Sequence, residues 1–242
     1  MMKIETIEVN GKMYVINITF ENRPDSRVSI GKNINIRIPT HLNREQKFRE
    51  LIRMKKWAVK RLEEKPREEI VEKMYKDGDV ITIGDENYKV CIDEKDEGVQ
   101  SSSGKLLDNT FFIKLTPNIS EERKRKHIST LMSRCLGAKK KKEIINKVHE
   151  LNQKHFKKQI NKIFLKNTSS RWGSCSSNEN INLSTRLFFA PEDVIDYVII
   201  HELAHLIEQN HSKDFWNLVE RAMPDYKTKE KWLKDNGKSC VF

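Results

Sequence analysis

The stretch His201-Glu202-Leu203-Ala204-His205 constrains this chain more than any other. Two histidines four apart share a face on a helix, where each residue turns about 100°. On that face both imidazoles can grip one metal ion. Glu202 lies about one residue's rotation away, so its carboxylate reaches a water beside the metal rather than the metal itself. Two ligands and a general base in this order are the arrangement of zinc hydrolases. The flanking residues place the helix in a core. Ala190-Pro191-Glu192-Asp193 reads as its start, with Pro in the first turn and acids at the positive end. Val194, Ile195, Val198, Ile199 and Leu203 then recur at helical spacing.

A catalytic zinc needs a third protein ligand and one open position. Glu208 shares the face of His201 but lies a turn beyond a metal held between His201 and His205. His211 fits better. Asn210 can take the left-handed conformation that ends a helix, and the chain can then turn back over the metal. Ser212 follows as an N-cap for a second helix with Phe215, Leu218, Val219 and Ala222 on one side. Cys175 is a third, soft candidate. The four cysteines (Cys91, Cys135, Cys175, Cys240) are scattered without a C-x-x-C pair, which suits reduced thiols in a cytoplasmic protein.

Several stretches together resemble the YgjP-like metal-dependent hydrolase family, which is related to SprT/Spartan-type and minigluzincin proteases. They are Arg171-Trp172-Gly173-Ser174-Cys175-Ser176, Ala190-Pro191, the motif itself, Asn210-His211-Ser212, Phe215-Trp216 and Pro224-Asp225-Tyr226. The resemblance implies a zincin fold around Zn2+, with His201, His205 and His211 at the ligand positions and Glu202 as the catalytic glutamate. It also implies a substrate edge on the strand beside the motif helix. Arg171, Trp172, Gly173 and Ser174 are the substrate-binding candidates there. Gly173 would permit close backbone approach. Tyr197, Tyr226, Arg171 and Arg186 are possible helpers at an oxyanion. Glu220 and Asp225 are possible carboxylate partners for the ligand imidazoles.

The expected fold class is α+β. An N-terminal β-rich region with one helix (1–117) precedes a helix-rich zincin-like metallopeptidase domain (118–242) with a small antiparallel sheet. Strands are expected over 14–20, 28–30, 34–38, 80–83, 88–92 and 111–115, with a helix from about Asn43 to Lys65. Asp93 to Asn109 reads as a mobile surface loop. Ser120 caps a helix that Gly137 interrupts before a second helical stretch. Strands follow around 163–166, 170–175 and 181–187.

The net charge of +11 on 242 residues is confined to 120–170, which holds fifteen Lys or Arg and four Glu. Such a run is most simply a solvated face. It can also meet a nucleic acid or nucleotide without reading sequence, because aromatic residues for base stacking are sparse there. With no apolar run near the ~18 residues of a membrane span, no membrane partner is expected. A peptide or protein is the expected substrate. Three functions stay open: a zinc metallopeptidase, a metal-dependent nucleoside triphosphate pyrophosphatase or phosphohydrolase, and a structural-zinc basic nucleic-acid-binding protein.

Overall fold

The computed structural model describes residues 2–31, 33–64, 73–94 and 101–242. They fall into two compact units, Met1–Glu69 and Ile70–Phe242. In the first, β1 (Met2–Val9) and β2 (Lys12–Glu21) form a hairpin. Its turn needs two residues at positive φ, supplied by Asn10 (51°) and Gly11 (74°). β3 (Arg27–Ile30) pairs antiparallel with β4 (Ile34–Pro39), which runs parallel to β2, giving the order β1-β2-β4-β3. α1 (Arg44–Glu64) opens on a reciprocal cap: Asn43 N–H donates to Gln46 Oε1 and Gln46 N–H to Asn43 Oδ1, both at 2.9 Å. Alternation along β2 and β4 turns Ile16, Ile18, Ile34, Ile36 and Ile38 inward, where they meet Ala58 and Leu62.

The second unit begins well before residue 118. β5 (Val80–Ile83), β6 (Glu86–Asp93), β7 (Ser103–Leu107) and β8 (Thr110–Lys114) form a sheet of order β5-β6-β8-β7. Its inner residues Ile81, Tyr88, Val90, Phe111 and Ile113 share one core with the following helix, so a division at 117/118 would cut through that core. The expected loop from Asp93 to Asn109 contains β7, whose residues pair with β8 from Ser103↔Lys114 to Leu107↔Thr110. The polar, glycine-containing composition of that stretch hid an edge strand with one mostly exposed face. Residues 95–100 of the expected loop lie outside the described residues.

α2 (Glu121–His155) is a single helix of 35 residues. Ser120 Oγ accepts the Arg123 N–H at its start. Gly137 does not interrupt it, because a buried glycine costs only about 1 kcal/mol against alanine. A Cβ at Gly137 would stand 3.3 Å from Thr185 Cγ2, so the glycine lets a neighbouring turn come close. Ser133 and Thr185 share a buried hydroxyl–hydroxyl bond of 2.7 Å at the same place. The small sheet is mixed. β10 (Gly173–Cys175) and β11 (Asn180–Ser184) make the expected antiparallel pair, while β9 (Lys162–Lys166) joins β11 in parallel. A 3-10 turn, Thr185–Phe189, replaces the end of the strand expected to reach residue 187. α3 (Glu192–Ala204), α4 (Lys213–Ala222) and α5 (Tyr226–Asn236) complete the unit. No helix among the described residues is long and apolar enough to cross a membrane.

Candidate metal centre

α3 carries the motif through the core of the second unit. Val194, Val198, Ile199, Ile200 and Leu203 are buried along it. Pro191 precedes its first turn, and Asp193 in that turn pairs with Lys229 of α5 at 2.6 Å. Burial this complete leaves only the helix end for polar chemistry. There the helix stops sooner than its periodicity suggests. His205 is the C-cap, still in right-handed helical geometry, and Leu206 and Ile207 donate to Leu203 and Ala204 carbonyls at 3.0 Å. Asn210 is not among the positive-φ residues, so two tight turns, not a left-handed cap, reverse the chain. Ser212 Oγ then accepts the Phe215 N–H and starts α4.

This corner brings His201, His205 and His211 together, with one ligand nitrogen from each within 4.8 Å of the others. Nε2 of His201 and His211 are 3.0 Å apart. Nitrogens each about 2.0–2.1 Å from one tetrahedral ion stand roughly 3.3 Å apart. The donor set therefore fits a divalent metal. His205 Nδ1 lies 3.0 Å from the Glu208 carbonyl, which can only accept. That contact puts the proton on Nδ1 and leaves Nε2 free as a ligand. Glu208 thus serves through its backbone, and neither its carboxylate nor Cys175 joins the cluster of described residues. Burial, then the neighbouring His205 and His211, push His201 down to about 3. Burial also lowers His205, so both rings are neutral near pH 7, the form that binds metal.

Phe215 of α4 holds the three rings in place. Fully buried, its ring lies 4.9 Å from His201, 4.5 Å from His205 and 4.7 Å from His211 between centroids. Helical periodicity marked Phe215 as a core residue but gave no sign that its neighbours would be imidazoles. Trp216 adds a second wall, 5.9 Å from both His201 and His211.

Glu202 is 5% exposed. Burial raises its pKa to about 8, opposed by a hydrogen bond from the Cys175 backbone N–H and by the charge of Arg171. Its side chain lies over Gly173, where a Cβ would come within 2.5 Å of Oε1 and 2.6 Å of Cγ. The close approach that Gly173 permits is therefore that of Glu202. Burial, followed by the charges of Glu202 and Glu179, lifts the Cys175 thiol to about 11, a poor state for a ligand.

β10 is an open edge, since the sheet order is β10-β11-β9. Trp172 O accepts the Ser184 N–H and Ser176 N–H donates to Asn180 O. Strand alternation then turns the backbone groups of Gly173 and Cys175 away from β11, where the Cys175 N–H is taken by the Glu202 carboxylate. A cavity of about 320 Å³ beside this edge is lined by Arg171, Trp172, Gly173, Tyr197, His201 and Glu202, among others. Ser174 is not one of its lining residues. Its side chain accepts from Asn182 Nδ2 at 3.3 Å. Trp172 lines the cavity but also packs beneath the Arg186 guanidinium, 5.2 Å away, and against Gly237.

Of the expected helpers, Tyr197 is buried 6.0 Å from His201 and stacks on Tyr226, and burial raises its hydroxyl pKa. Arg186 is a structural clamp. Its guanidinium donates to the carbonyls of Ser169 (3.2 Å), Gly237 (3.0 Å) and Cys240. Glu220 is exposed, and Asp225 pairs with Lys229 at 3.0 Å. The imidazole partner that the structure shows is the Glu208 carbonyl, a backbone atom that residue type does not announce.

Comparison with known proteins adds to this geometry. The chain is 32% identical over 82 residues to a UTP pyrophosphatase of Escherichia coli (strain K12), a match covering 34% of this chain and about half (49%) of that relative. Among solved structures, the metallopeptidase zymogen abylysin of Pyrococcus abyssi superposes with a TM-score of 0.35 at 21% identity, covering 38% of this chain and 93% of that one. The zymogen jannalysin of Methanocaldococcus jannaschii gives 0.34 at 23% identity, covering 39% and 95%. A model of the YgjP-like metallopeptidase domain matches residues 23–236. Spanning nearly the whole sequence, that match makes this chain a member of the YgjP-like family of metallopeptidase-domain proteins, and so of a class of metal-dependent hydrolases.

Proposed function

We propose that the chain is a zinc-dependent metallopeptidase in which His201, His205 and His211 hold the ion and Glu202 is the general base. The observation that carries this reading is the convergence of three imidazoles beside a buried carboxylate. Zinc bound there would supply Lewis acidity and lower the pKa of a coordinated water. Glu202, in its ionised form, takes a proton in the addition step and returns it to the leaving amine. Gly173 and the Cys175 N–H hold its carboxylate for both transfers. The open edge of β10 offers an extended peptide backbone pairing next to these groups. A structural zinc would require a fourth protein ligand, and the cluster of described residues has three.

A second reading takes support from the Escherichia coli relative: hydrolysis of a nucleoside triphosphate at the same centre. Against it, Arg171 is the one Lys or Arg among the described cavity-lining residues, a thin clamp for three phosphates. The test is to incubate zinc-loaded protein with a peptide library and, separately, with UTP. The expected result is peptide cleavage that falls 10²- to 10⁴-fold in Glu202→Gln, with metal content unchanged. UTP hydrolysis without peptide cleavage would install the second reading. Full activity of Glu202→Gln on both substrates would remove both.

A further inference from the structure

A trough of about 1110 Å³ runs along α2 and shares no described lining residue with the cavity at the metal centre. Its floor includes Leu131, Ser133, Gly137 and Thr185. Its two walls are sheet edges. Ser103 and Gly104 belong to β7, the last strand of one sheet, and Ile163 to Lys166 belong to β9, the last strand of the other. The Ser184 N–H and the Asn180 carbonyl of β11 are taken by Trp172 and Ser176 on the β10 side, so Ile181 and Leu183 turn their backbone groups toward β9. In the parallel register Ile163↔Ile181 and Leu165↔Leu183, the backbone groups of Lys162, Phe164 and Lys166 therefore meet β11, and those of Ile163 and Leu165 face the open edge. An unpaired edge of this kind is a template for another strand.

The charges in the trough have one sign. Lys126, Arg134, Lys141 and Lys166 line it, and no Asp or Glu is among the described lining residues. Lys126 is paired with Glu122, while Arg134 and Lys141 are exposed and have no ion pair among the described residues. From Lys126 to Lys141 the helix rises by about 22 Å, the length of roughly seven extended residues. Nucleic acid fits less well. Phe164, 39% exposed, is the aromatic ring in the trough, and the Lys166 ammonium already lies 5.0 Å from its centre.

We propose that this trough binds an extended acidic polypeptide, which adds a strand to β9 and sets its carboxylates against Arg134, Lys141 and Lys166. Backbone pairing gives such a complex its register, and the cations select the acidic sequence. The site does not depend on the chemistry at the metal centre, so its test is a binding measurement.

The probe is a fluorescein-labelled eight-residue peptide of alternating Glu and Val, followed by anisotropy with the full chain. Four comparison ligands accompany it: the Lys/Val counterpart, two Glu/Val peptides with alternate backbone nitrogens methylated in one phase or the other, and an eight-nucleotide oligo-dT. Binding of the Glu/Val peptide should weaken with added salt. It should fall at least tenfold in Arg134→Glu and in Lys141→Glu, and also in Lys166→Glu, which lies on a different element and guards against a local folding defect in α2. Methylation in one phase should weaken it to a similar degree, and Glu202→Gln should bind like the parent. No binding at millimolar peptide, equal binding by all three charge-reversed proteins, or equal binding by both methylated peptides would each overturn the proposal. Tighter binding of oligo-dT would overturn it in favour of nucleic acid.

Discussion

In the histidine cluster, packing strips titratable groups of their charge. Burial keeps His201 and His205 neutral and pushes Glu202 up to about 8. Along α2 the cations are solvated or paired with nearby carboxylates, as Lys147 is with Asp196 and Glu192 and Lys140 with Glu86 and Glu143. The contrast separates two ways of making a site. Buried groups gain tuned protonation and fixed geometry, and they depend on every neighbour. Solvated charges gain reach and selectivity, and they tolerate substitution.

The sharpest way to break this contrast is to loosen the buried side. Phe215→Ala removes the ring that all three imidazoles touch and should cost about 3–5 kcal/mol of stability. It should also weaken metal binding, as measured by thermal melts with and without zinc and by titration with a chromophoric chelator. A melt unchanged by Phe215→Ala would mean the rings are held by something else. Next in size, zinc at a hundred times its dissociation constant should stabilise the second unit by about 2.7 kcal/mol. The gain should vanish in His211→Ala; if it persists, the corner is not the binding site. Gly173→Ala should follow at about 1–3 kcal/mol from overpacking. Because the methyl group would occupy the place of the Glu202 side chain, turnover should fall further than stability does.

The smallest effect belongs to the solvated side. Lys139 first, then Lys140, hold the Glu86 carboxyl down to about 2. Its contribution is complete above the ordinary carboxylate value of 4.5 and is lost as pH falls through about 2. With more than a third of the side chain exposed, Glu86→Gln should cost only about 0.5 kcal/mol at pH 7. The difference between the two proteins should close near pH 2. A cost of several kcal/mol, or one independent of pH, would erase the distinction between the two regions.

Legibility in the amino-acid order follows the same divide. α3, its start after Pro191, the capping of α1, α2 and α4, and the alternation in β2 and β4 are local patterns and could be read directly. The proximity of His211 to the motif followed from a corner between two helices, although tight turns rather than Asn210 make that corner. Long-range contacts could not be read. Gly173 under Glu202, Gly137 against Thr185 and Phe215 among three imidazoles each join residues far apart along the chain or on separate helices. The same limit explains why β5 to β8 looked like part of the first unit: their partner, α2, follows them in sequence and declares itself only by packing.

The Arg186 clamp carries a further consequence. One inflexible fork grips Ser169, Gly237 and Cys240, so it ties the approach to β10 to the segment after α5. A lysine ammonium could not span the three carbonyls, because it lacks the planar five-donor geometry. The two segments should thus breathe as a single foldon. Their amides would trade hydrogen for deuterium at a shared rate, and Arg186→Lys would uncouple them.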